Sequence, residues 1–211
     1  MKPKLYIALG LMSGTSIDGI DAALIETDGG NHIRPLGFLG RPYSEDFRTT
    51  LRAHLGKKDT RAPGVAAFER ELTQAHADLA LALMRETGIT PDIIGFHGQT
   101  LYHRPEEKLT VQIGDGALLA KLTGISVVND FRRADVEAGG NGAPLVPLYH
   151  RALLADQPKP MLILNIGGVS NITWVNGKGD DDILACDVGP GNARIDDWVL
   201  RHTGHPFDKD G

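Results

Sequence analysis

Two glycine-rich turns, about 150 positions apart, each sit at the end of an apolar run: Leu-Gly-Leu-Met-Ser-Gly-Thr-Ser-Ile-Asp-Gly at 9–19 and Leu-Asn-Ile-Gly-Gly-Val-Ser-Asn-Ile-Thr at 164–173. An apolar β-branched run, a glycine reversal and a second such run build a strand, a tight turn and a strand. Such a turn is a concavity of backbone N–H groups that suits an anion, and neighbouring hydroxyls reinforce it. The recurrence of this unit constrains the fold more than any other feature of the chain.

The segments between the turns extend the pattern. Runs at 5–12 and 20–27 read as an antiparallel pair, followed by a third strand at 33–41. Ser44 is placed to cap a helix running to about Leu55, with Glu45 and Asp46 in its first turn. Val65, Phe68, Leu72, Ala75, Leu79 and Leu83 recur at helical steps, with Gly88 as the stop, so a long helix packs its stripe on a sheet. Strands at 92–96 and 126–129 then alternate with helices at 115–122 and 147–155, which requires a partly parallel sheet. Residues 132–147 are too rich in glycine and proline for regular structure and read as a functional loop.

Gln157-Pro158-Lys159-Pro160 is the linker candidate, giving a first domain at 1–157 and a second beginning at 161. Beyond it the opening pattern restarts as strands at 161–166, 171–175 and 183–187 and a helix at 193–202, a weak internal repeat. The fold class is therefore α/β, with a mixed sheet. The second copy holds few strands for a complete sheet, so 161–211 reads as the beginning of a second domain.

Composition excludes several function classes. The 211 residues are 41% hydrophobic, enough for a core, and the net charge is −5 with Lys and Arg scattered, so no nucleic-acid partner is expected. The sole cysteine, Cys186, cannot form an internal disulfide. With neither a signal-peptide core nor an 18-residue apolar run, no membrane is expected and the cytoplasm is the predicted compartment.

Four segments carry chemistry. In the first turn, Gly14 and Gly19 permit unusual backbone angles, Ser13, Thr15 and Ser16 can bond phosphate oxygens, and Asp18 or Asp21 can hold Mg²⁺ directly or through water. An ordinary hairpin is the alternative, since no lysine follows to complete a Walker motif. His97, Gln99 and Arg104 follow a buried strand, and polar side chains at a strand's C-terminal end meet ligands in α/β sheets; a histidine there is equally often structural. Arg132 and Arg133 follow another strand and suit a bidentate anion clamp, or else a surface pair with Asp130 and Asp135. Asp187 closes an apolar strand before Gly-Pro-Gly, where a carboxylate can take a proton from a nucleophile; a helix cap is the plain alternative.

Seven segments occur in order: Gly-Leu-Met-Ser-Gly-Thr-Ser-Ile-Asp-Gly-Ile-Asp, Phe-His-Gly-Gln-Thr, Gln-Ile-Gly-Asp, Asn-Asp-Phe-Arg, Gly-Ala-Pro-Leu-Val-Pro, Leu-Asn-Ile-Gly-Gly-Val-Ser-Asn and Asp-Val-Gly-Pro-Gly-Asn. In this the chain resembles the anhydro-N-acetylmuramic acid kinases, over essentially its whole length. The resemblance implies an actin-like, hexokinase-like ATPase fold of two ribonuclease-H-like domains, with helices on both sheet faces and a nucleotide cleft. It implies ATP and Mg²⁺ as cofactors. The implied reaction phosphorylates the 6-oxygen of 1,6-anhydro-N-acetylmuramic acid while water opens the anhydro ring, in recycling of cell-wall murein.

By the same resemblance, Gly14, Thr15, Ser16, Ile17, Asp18, Gly19, Ile20 and Asp21 form the first phosphate-binding segment and Gly167 and Gly168 the second, while Asp187 falls on the catalytic aspartate. A homodimer is also implied. His97, Gln99, Arg132 and Asn141 are candidates for holding the sugar, from their places at strand ends and in the glycine loop. Members of the family are longer, with the adenosine-binding segment in the further part, so the alternative expectation is a sugar-binding remnant without turnover. An actin-like structural or chaperone ATPase is a third, disfavoured by the polar strand ends.

Overall fold

The computed structural model describes residues 4–14, 16–177, 179–205 and 207–208. The chain divides into two compact units, 1–143 and 144–211.

The first unit opens on three antiparallel strands, β1 (Tyr6–Met12), β2 (Gly19–Thr27) and β3 (Ile33–Pro42), as the sequence predicts. Helix α1 (Glu45–Arg52) follows, with the Ser44 hydroxyl accepting from the Phe47 amide; it ends before the expected Leu55. The long helix α2 (Pro63–Thr87) stops at Gly88, whose φ of 68° ends it in the left-handed conformation.

Two strands then join the sheet parallel to β1: β4 (Ile93–Phe96) and β7 (Val127–Asn129). Between them come a hairpin, β5 (Gln99–Arg104) and β6 (Leu109–Ile113), and helix α3 (Gly116–Thr123), capped by the Asp115 carboxylate. The sheet order is β3-β2-β1-β4-β7, a mixed α/β layer.

The apolar stripe of α2 serves two cores. Its C-terminal half, Ala77, Leu79, Ala80 and Leu83, packs on Leu9, Leu11, Ile20, Leu24, Ile94 and Phe96 of the sheet. The N-terminal half, Val65, Phe68 and Leu72, packs instead on Leu51 of α1, Leu101, Val111 and Ile113 of the hairpin, and Ile17 of the first glycine turn. A periodic stripe shows that a helix face is buried but not against what. The segment expected to be wholly irregular holds a short helix, α4 (Arg133–Glu137).

The second unit begins before the expected linker. Helix α5 (Pro147–Leu153) packs on β9 (Val169–Val175) and β10 (Ile183–Pro190), and the division between the compact units falls at 143/144, ahead of the expected linker at 157–160. With β8 (Met161–Ile166) these strands form an antiparallel sheet, β10-β9-β8, and α6 (Ala193–Thr203) follows. Each unit therefore contains an antiparallel three-strand meander whose first reversal is a glycine turn. Among the described residues no helix is long and apolar enough to cross a membrane.

Candidate functional site

The 13–19 turn is held from beneath by side chains. The buried Ser13 hydroxyl donates to Gln99 Oε1 and meets the Tyr43 hydroxyl at 2.7 Å, while Gln99 Nε2 donates to the Gly14 and Thr100 carbonyls, both at 3.2 Å. Gln99 is fully buried, so both ends of its amide are spent on the turn and on its own strand. Burial pushes the Tyr43 phenol up to about 12, which keeps it a neutral hydrogen-bonding group. Sequence reasoning placed Gln99 at a strand end but missed Tyr43, which lies 30 positions from Ser13. No local pattern marks such a partner.

On the outer side of the turn, Asp18 Oδ1 accepts from the Ser16 hydroxyl at 2.7 Å and the Gly19 amide at 3.0 Å. Asp21 lies near enough that burial, and then the Asp18 charge, raise its carboxyl above the usual range. Two carboxylates that repel each other suit a cation, and Mg²⁺ carried by phosphate through water needs no more than this pair. Among the described residues no three His, Cys, Asp or Glu side chains gather as a self-sufficient metal site. Thr15, expected in the phosphate cradle, lies outside the described residues.

The C-terminal ends of β4 and β7 open into a cavity of about 290 Å³, walled by β6 of the hairpin and by Glu69 of α2. His97, Asn129 and Arg133 line it from the strand ends, Thr110 and Gln112 from the hairpin and Glu69 from α2. The hydroxyl, amide, carboxylate and guanidinium groups that line it suit a polyhydroxylated ring. The Gln-Ile-Gly-Asp segment held the signal for Gln112; nothing local marked Glu69 or Thr110.

His97 is fixed rather than free. Its Nδ1 bonds the Gly98 carbonyl at 2.8 Å, so Nδ1 carries the proton and Nε2 accepts from Arg132 Nε at 2.9 Å. Burial, and then the Arg132 charge, lower its pKa to about 4. Arg132 also donates to the Gly142 carbonyl at 2.6 Å, and the Gly142 amide donates to Asp135 at 2.6 Å, so this chain of bonds folds the glycine loop back on the strand end. The two arginines part company: Arg133 pairs with Asp130 at 2.8 Å. Asn141 is exposed on the loop.

In the second unit the Gly167-Gly168 turn is joined to the Gly-Pro-Gly turn by backbone hydrogen bonds. The Gly191 amide donates to the Gly168 carbonyl at 2.9 Å and the Asn192 amide to the Gly167 carbonyl at 2.8 Å. A Cβ on Gly191 would collide with the Gly167 carbonyl oxygen, so only glycine permits the join. Asp187 does not end its strand as the sequence implied. β10 runs on to Pro190, with a register shift between Asp187 and Gly189 that turns the strand where the exposed carboxylate stands.

The comparisons with known proteins point to one family. The family model described as anhydro-N-acetylmuramic acid kinase matches residues 5–211. The chain belongs to the anhydro-N-acetylmuramic acid kinase family. A relative of that name from Rhodospirillum rubrum is 54% identical over 97% of this chain and 54% of its own length, and one from Rhizorhabdus wittichii is 52% identical over 97% and 58%. The chain thus spans a little over half the length of these kinase-family relatives. A ROK hexokinase from Thermus thermophilus superposes at 18% identity with a TM-score of 0.36, over 97% of this chain and 66% of that one, and adds nothing to the family assignment.

Proposed function

We propose that the chain carries the sugar- and phosphate-binding machinery of an ATP-dependent kinase acting on 1,6-anhydro-N-acetylmuramic acid. The observation that carries the reading is the 13–19 turn, clamped through Gln99 to the hairpin that also walls the polar cavity at the ends of β4 and β7. The cavity would receive the sugar ring, with the His97–Arg132 pair holding the loop beside it. Backbone amides of 14–21 and of Gly167-Gly168 would hold phosphate oxygens. Asp18, with Asp21 behind it, would hold Mg²⁺ through water, and the ion would supply charge neutralisation on the phosphates.

For the chemistry, Asp187 would take the proton of a water molecule whose oxygen bonds to the anomeric carbon. The bond from that carbon to the 6-oxygen breaks, and the 6-oxygen bonds to the γ-phosphorus as the β–γ bridging oxygen leaves with ADP. An exposed carboxylate on a bent strand suits that role, because a group buried against a helix could not meet water.

Calorimetric titration with the anhydro sugar and, separately, with Mg-ATP tests the reading. Binding of both supports the kinase. Sugar binding without nucleotide binding favours the alternative, a sugar-binding remnant, and binding of neither overturns both.

A further inference from the structure

We infer that Gln99 and Ile17 are positioning residues through which the β5–β6 hairpin links occupancy of the strand-end cavity to the shape of the 13–19 turn. The inference rests on the proposal that the cavity takes the sugar and the turn takes phosphate.

The turn hangs on the hairpin at two independent points. One is the Gln99 amide, which grips Ser13 and the Gly14 carbonyl from the first residue of β5. The other is Ile17, held at a φ of 50° with its side chain in the cluster that contains Leu101 of β5 and Val111 and Ile113 of β6. A β-branched residue in the left-handed region is strained and persists only where its surroundings over-determine it. Here the surroundings include the hairpin core, so a change in that core bears directly on the turn.

The same hairpin meets the cavity. Residues 109–114 line it, and the open end of the hairpin, where Ile113 pairs with Gln99, is pinned to α2: Gly114 donates to Glu69 at 2.9 Å and Asp115 to the Thr73 hydroxyl at 3.0 Å. Gly98 has a φ of 68°, and a Cβ there would strike the Ile113 carbonyl oxygen, so the hairpin lies in tight contact with the strand end. A ligand in the cavity displaces or stiffens β6. Close packing passes that to β5, Gln99 and Ile17 without slack. Linkage is reciprocal, so phosphate in the turn must raise the affinity for sugar by the same factor as sugar raises the affinity for phosphate.

Hydrogen exchange on the 211-residue chain tests this, with 1,6-anhydro-N-acetylmuramic acid and Mg-ATP as separate probes. We expect the sugar to slow exchange at residues 16–19 as well as 109–113, and Mg-ATP to slow exchange in the hairpin, each about tenfold, within the range of ordinary couplings. Ile17→Gly, which tolerates the backbone angle but removes the anchor, and Gln99→Met should keep the sugar's protection at 109–113 and lose its transmitted protection at 16–19. Ile17→Val should restore it. A purely structural role would lower protection with and without probe alike and leave the transmitted difference intact. Exchange in β1 and the C-terminal half of α2 checks that each variant is folded.

Sugar protection confined to 109–113, or Mg-ATP protection confined to 16–19, in the unaltered chain overturns the link while leaving the binding roles standing. Absence of local protection by both probes overturns the binding roles themselves.

Discussion

The two glycine turns look alike in sequence, yet they are supported differently. The first is backed by Ser13, Tyr43 and Gln99 and sits over a core in which Leu9, Leu11, Ile20 and Leu24 are almost wholly buried. The second is joined to its neighbour by backbone hydrogen bonds, above a three-stranded sheet that leaves Leu162 at 52%, Leu164 at 51% and Ile166 at 60% exposure. Side-chain anchoring makes a turn that responds to what lies beneath it. A backbone join holds one arrangement, provided a glycine remains at its closest point.

The sharpest way to test the contrast is chemical. Asp18→Asn and Asp187→Asn are isosteric changes beside the first and second turns. If the first binds and the second unit supplies the base, Asp187→Asn lowers kcat by about 10²–10⁴-fold, whereas Asp18→Asn mainly raises the KM for Mg-ATP. Steady-state kinetics with both substrates varied separates the two, and near-normal turnover of Asp187→Asn removes that residue from the mechanism.

A smaller effect follows from the two tight glycines. Gly98→Ala places a methyl against the Ile113 carbonyl at a positive φ and should destabilise the first unit by about 2–4 kcal/mol. Gly191→Ala should open the second turn while leaving amide exchange in β1 and α2 unchanged. Denaturation combined with residue-level exchange reads both, and loss of protection in α2 by Gly191→Ala would erase the distinction.

The weakest of the three is set by pH. His76 and His97, both in the first unit, are held at about 4, chiefly by burial. Their pKa values are lower folded than unfolded, so the unfolded chain binds more protons between about pH 6.5 and pH 4 and stability falls as pH drops through that window. Each contributes at most about 3 kcal/mol by the usual conversion. His76→Gln should flatten the dependence of the denaturation midpoint on pH between 7 and 4.5, and an unchanged slope would show that another group dominates.

Much of the fold was legible in the chain. β1–β3, the stop of α2 at Gly88 and the cap at Ser44 follow from local chemistry, because caps, reversals and periodicity act over a few residues. The β5–β6 hairpin was not recognised as strands, since Gln99–Arg104 is polar and takes its burial from α1 and α2 rather than from its own alternation. The same limit applied to the candidate site. His97, Gln99 and Arg132 were found from their places at strand ends, but whether each faces a ligand or a neighbour depends on partners far away in the chain.

By itself, then, the sequence determined most of the elements, the two glycine turns and the family. Tertiary structure alone decided that Gln99 serves the turn, that His97 is a neutral acceptor for Arg132, and that Glu69, Thr110 and Gln112 meet around one cavity. The reason is physical: backbone preference is fixed by near neighbours, whereas burial, tautomer and hydrogen-bond partner are fixed by whatever packing brings within a few ångströms.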